Sequence, residues 1–95
     1  MENKIKELQE KLGLRLKFLR VAKTGVQSEF KMAKIMGMGE VTIYKIEHGE
    51  NLPTKRTLLD IKKWYELTNQ EYKDLQDRIK EIKKLKRAVK QNECI

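Results

Sequence analysis

Residues 37–49 read GMGEVTIYKIEHG and gather side chains suited to recognition chemistry: Glu40 accepts hydrogen bonds, Lys45 donates them, Tyr44 and His48 can do both, and Val41 offers methyl groups. Wound at about 100° per residue, Ile43, Ile46 and Glu47 fall on one side. Val41, Tyr44, Lys45 and His48 fall on the other, with Glu40 at the leading end. The segment therefore has an apolar heel to anchor it and a mixed polar face to present. Gly39 stands where an N-cap belongs and Gly49 where a helix would stop, which predicts a helix over about 40–48. A helix that short is not stable alone, so neighbouring elements must hold it.

Catalytic chemistry finds no support elsewhere in the chain. One cysteine, Cys94, and one histidine, His48, cannot assemble a metal-ligand cluster, and one cysteine cannot form a disulfide within the chain. There is no phosphate-cradling glycine loop, no paired-carboxylate site and no Cys–His or Ser–His–Asp set. The expectation is a protein that is not an enzyme and takes no metal, cofactor or small-molecule ligand. Charge points to the partner: 22 Lys and Arg against 14 Asp and Glu give a net charge of +8. That balance favours a polyanion, with nucleic acid ahead of an anionic membrane. The start, MENKIKELQEK, is charged throughout and no run approaches the length of a bilayer span, so a cytoplasmic protein without a membrane partner is expected.

The elements that must position residues 40–48 read as helices throughout. Ile5, Leu8, Leu12, Leu16 and Leu19 recur at three- and four-residue spacing and predict a first helix over about 3–23, with Gly13 as an internal weak point. Gly25 suits a stop and Ser28 an N-cap for a second helix over about 29–36, burying some combination of Phe30, Met32, Ala33 and Met36. Pro53 bars continuation of the short helix. Thr57 is expected to cap a fourth helix, with an apolar face of Leu58, Leu59, Ile61 and Leu67 and bulk from Trp64 and Tyr65. Thr68 and Asn69, with Glu71 completing a capping box, open a last helix over about 70–91. Its stripe of Tyr72, Leu75, Ile79, Ile82, Leu85 and Val89 predicts a dimerisation helix with a basic end.

From about Leu14 to Leu67 the chain resembles the helix-turn-helix domain of the lambda repressor, Cro and XRE family of phage and bacterial regulators. The resemblance rests on Ala33, Met36, Gly37 and Met38, then Thr42, Ile43, Ile46, Glu47 and Gly49 in register, followed by Pro53 and the Leu58, Leu59, Ile61 series. It implies an all-α fold: a five-helix, lambda-repressor-like domain with extended N- and C-terminal helices, divided into 1–69 and an expected dimerisation segment at 70–95. It further implies a structural pair of Arg20 with Glu47 and base-reading positions at Gly39, Glu40, Val41, Tyr44 and Lys45. Glu40 can accept from cytosine N4, Val41 can pack on a thymine methyl and Lys45 can donate to guanine O6 or N7. The chain departs from the family in a loop two residues longer between Arg20 and Ala33. It also has Glu29 where a phosphate-binding Gln is usual, which shifts that role to Gln27, to Ser28 or to the backbone N–H groups at the start of the second helix.

Further phosphate contacts are expected from Lys31, Lys34, Thr42, Asn51, Thr54, Lys55 and Arg56, with His48 flanking the interface. The function implied is a sequence-specific double-stranded DNA-binding regulator, foremost a homodimeric repressor reading an inverted repeat with residues 40–48 in the major groove. The alternatives are an antitoxin or adaptor that binds a protein partner (a toxin or an antirepressor), and an accessory DNA-binding protein of a plasmid or phage.

Overall fold

The computed structural model describes the backbone of residues 2–93 and the side chains of 3–90, so Cys94 lies outside the described residues. The described chain is all-α, with five helices in the order α1 (Glu2–Thr24), α2 (Glu29–Ile35), α3 (Thr42–Glu47), α4 (Lys55–Trp64) and α5 (Asn69–Glu93).

Each boundary has a local cause. α1 runs without a break through Gly13 and ends where Gly25 takes a φ of 72°. The N-cap of α2 is Ser28, whose Oγ accepts from the Lys31 N–H at 3.2 Å. At the other end of α2, Gly37 adopts a φ of 71°, the Met38 N–H bonds the Ala33 carbonyl at 2.9 Å and the Gly37 N–H bonds the Lys34 carbonyl at 3.1 Å. This paired closure requires the left-handed conformation that glycine adopts without penalty. α5 opens with the full capping box: the Thr68 N–H donates to Glu71 Oε1 at 2.9 Å, and the Glu71 N–H donates to Thr68 Oγ1 at 3.1 Å.

Several local expectations are corrected. Thr54, not Thr57, caps α4, accepting from the Thr57 N–H at 3.2 Å; the fixed backbone of Pro53 delivers Thr54 in extended geometry, and the helix begins at once. Gly39 is not the N-cap of α3. Its carbonyl accepts from the Thr42 N–H at 3.0 Å in a turn that precedes the helix, and Val41 occupies the cap position without a side-chain bond. Phe30, Leu59 and Trp64 are exposed, because α2 and α4 each turn a narrower face to the core than their apolar content suggests.

The core is one continuous cluster. Ile5, Leu12, Leu16 and Leu19 of α1 meet Met32, Ile46, Leu58, Ile61, Tyr65 and Leu67, together with Leu75, Ile79 and Ile82 of α5. It draws on both sides of the expected division at 69/70. Because α5 lies along α1, Leu75, Ile79 and Ile82 are buried within the single chain, with Tyr72, Leu85 and Val89 packed at the edge of the same cluster. Half of the stripe read as a dimerisation surface, Leu75, Ile79 and Ile82, is thus covered within the chain, and Tyr72, Leu85 and Val89 are half-buried.

Candidate nucleic-acid interface

α3 is six residues long and is set in place by α1 and α2. Ile43 and Ile46 anchor it in the interior, as the helical winding requires. Glu47 is also buried, at 4% exposure, and faces Arg20 at 1%. The guanidinium grips the carboxylate with two hydrogen bonds: Nε donates to Oε2 at 2.7 Å and Nη2 donates to Oε1 at 2.9 Å. Nη1 donates to the Val26 carbonyl, which ties the α1–α2 loop into the same cluster. The hydrogen bond with Glu47 holds the Arg20 guanidinium above its ordinary pKa. Burial pushes the Glu47 carboxyl above the usual carboxylate range, and the neighbouring Glu29 adds to that against the opposing pull of Arg20.

A second constraint on α3 comes from a residue that looks like a defect in the sequence. Gly13 is buried in the middle of α1, and a Cβ there would stand 2.2 Å from the Glu47 carbonyl oxygen and 3.0 Å from that of Ile46. Only a glycine lets the α1 backbone approach the end of α3 this closely. The predicted weak point is therefore a contact point. One signal for it was present in the sequence, a lone glycine inside an otherwise strong helix-forming run, where a packing reason offsets the propensity cost.

With its inner face fixed, α3 presents the opposite one. Glu40, Val41, Tyr44, Lys45 and His48 are all exposed, on one side of the helix and its leading turn, and Gly39 is exposed beside them. Thr42 is half-buried. On this face the structure adds an arrangement that sequence reasoning missed. Phe30 of α2 stacks on Tyr44 with ring centroids 5.9 Å apart, and Tyr44 stacks on His48 at 4.0 Å. The His48 ring nitrogen Nε2 lies 3.2 Å from a carboxylate oxygen of Glu29. The i, i+4 spacing of Tyr44 and His48 could have signalled half of this ladder, but Phe30 arrives from another helix. Glu29 is consequently turned inward to His48 and Glu47 rather than out to a phosphate position.

The residues named as phosphate contacts divide into two groups. Gln27, Ser28, Lys31 and Lys34 are exposed on and before α2, with the Ser28 hydroxyl oxygen engaged in the cap. Asn51, Thr54, Lys55 and Arg56 are exposed in the loop after α3 and the first turn of α4. Val41, Thr42 and Lys45 line a groove of about 270 Å³ with Asn51, Pro53 and Thr54, so the outer face of α3 and the second group share one surface. Lys31 and Lys34 flank a separate groove with Phe30, Met38 and Glu40 on the α2 side. Among the described residues no group of three metal-ligating side chains comes together, and no helix is long and apolar enough to cross a membrane.

No family model matches the chain, and comparisons with curated proteins and with solved structures return no match.

Proposed function

We propose that the chain is a sequence-specific double-stranded DNA-binding regulator of the lambda repressor, Cro and XRE helix-turn-helix type, with α3 entering the major groove. The observation that supports this reading best is the fixation of a very short helix from behind by Gly13 and the Arg20–Glu47 pair. That fixation leaves Val41, Tyr44 and Lys45 on an outer face flanked on both sides by lysines. A helix held so firmly by its inner face has a backbone position suited to reading base edges through its outer one. Exposed cations at 31, 34, 55 and 56 supply the sequence-independent part of the affinity, and the net charge of +8 suits the same partner.

Selection from a random duplex library with the purified protein gives the cognate site. Lys45→Ala and Val41→Ala are then expected to weaken binding to that site more than to random DNA. Each lost base contact should cost about 1–3 kcal/mol on the cognate site alone. An equal loss on both kinds of DNA would place these side chains outside base readout. The choice between repressor and accessory protein follows from where the selected sites lie. A homodimer on an inverted repeat would have to pair through a surface other than Leu75, Ile79 and Ile82, and symmetric spacing in the selected sites is its signature.

A further inference from the structure

Beside the groove that α3 shares with the following loop lies a second one, of about 350 Å³, between the start of α4 and the outer flank of α5. Pro53 and Thr54 form the rim common to both. The floor of the second groove includes Leu58 and Ile79, and its walls carry Lys55, Lys80 and Lys83. No carboxylate lines either groove. A path without negative charge therefore runs from Lys45 on α3 past Thr54 to α5.

One flank of α5 carries cations and no carboxylate. Successive steps of four and three residues put Lys80, Lys83, Arg87 and Lys90 on the flank that faces the start of α4, and all four are exposed. Asp74, Asp77 and Glu81 follow the same spacing on the opposite flank, where Arg78 bonds Asp74 at 2.9 Å. None of Lys80, Lys83, Arg87 and Lys90 has a carboxylate four residues away along the helix, so no i, i+4 pair neutralises this flank. From Lys80 to Lys90 the basic flank is about 15 Å long, the rise of about four base pairs.

We propose that Lys80, Lys83 and Arg87 of α5, with Lys55 at the start of α4, form a second phosphate-binding surface that grips the duplex backbone beside the stretch met by α3. This rests on the DNA-binding reading above and extends it from a groove contact to a two-part grip. Lysine suits the task, since a flexible point charge holds a phosphate without fixing its register. The continuity of the two grooves through Thr54 favours DNA over an acidic polypeptide as the occupant.

The test uses the full chain and a labelled 30-base-pair random-sequence duplex, titrated with salt between about 50 and 200 mM. The triple variant Lys80→Gln, Lys83→Gln, Arg87→Gln is compared with Lys4→Gln, Lys6→Gln, Lys17→Gln, which removes the same charge from exposed positions of α1. Three lost phosphate contacts at about 0.9 each should flatten the slope of log K against log salt by about 2–3, while the α1 variant keeps a slope near that of the wild type. Equal flattening in both would show a net-charge effect and overturn the proposal. An unchanged slope in the α5 variant, with the wild type still binding the duplex, would overturn this surface alone and leave an acidic polypeptide as the partner to try. A wild type that fails to bind the duplex at 50 mM would overturn both this surface and the function on which it rests.

Discussion

Gly13 and Glu47 belong to different helices, yet neither can be understood without the other. In a solvent-facing helix a glycine costs about 1 kcal/mol relative to alanine, so Gly13→Ala would normally stabilise the protein. Here the added methyl would meet the Glu47 carbonyl oxygen at 2.2 Å, and backbone cannot give way as a side chain can. Gly13→Ala should therefore destabilise the protein by about 1–3 kcal/mol in denaturant unfolding, the opposite sign from propensity. A gain in stability would remove the close crossing as the reason for this glycine. Arg20 acts on the same residue through its side chain, and because both partners of that pair are buried, each would leave a costly unpaired charge if the other were removed.

At the scale of elements, side-chain caps open α2, α4 and α5, and the cap of α5 includes a charged group. The carboxyl of Glu71 is held below the usual carboxylate range, first by the Thr68 N–H and then by Lys23, whose Nζ lies 2.9 Å from Glu71 Oε1. A carboxylate with a lowered folded-state pKa contributes stability that is fully present above its unfolded value of about 4.3 and is lost as pH falls through the folded value. Glu71→Gln keeps an acceptor for the Thr68 N–H but has no charge to lose. The wild type should thus melt above Glu71→Gln at pH 6 and approach it by pH 3, and a gap that stays constant would rule out the charge as the source.

Much at this scale could be read from the sequence. The five helices, the Ser28 cap, the Thr68–Glu71 box, the stop at Gly25 and the facing of Arg20 to Glu47 all rest on local chemistry or on the resemblance to a known motif. What could not be read depends on neighbours. Thr54 and Thr57 offer the same hydroxyl three residues apart, and only the path of the chain out of Pro53 selects between them. Phe30 looks as apolar as Met32, but α2 has one covered face and Phe30 is on the other, where Tyr44 of α3 meets it. The outer face of α3 was legible as a face, whereas its aromatic ladder required the crossing of two helices. The apolar stripe of α5 was legible as well, although periodicity cannot say whether a second chain or the first helix covers it.

Across the whole molecule, measuring 46 × 27 × 20 Å, α1 is the member that joins the parts. It touches α3 through Gly13 and Arg20, and α5 along the apolar seam, so the two ends of the chain support one core. Leu75 is wholly buried in that seam, and Leu75→Ala should cost about 2–5 kcal/mol of stability. The unfolding midpoint of the wild type should not move with protein concentration, as it would if Leu75 packed between chains. A midpoint that rises with concentration in the wild type but not in Leu75→Ala would return the stripe to a dimer interface.

The backbone contact at Gly13 has one more effect, on the other side of the encounter. A helix clamped at its C-terminal end by a neighbouring backbone, and from within by a buried ion pair, has little freedom to tilt toward an ill-fitting target. The accommodation passes to the duplex, which must bend or change its groove width to meet a stiff reader. Under the proposed function, base steps that the protein never touches would then enter its selectivity through how easily they deform.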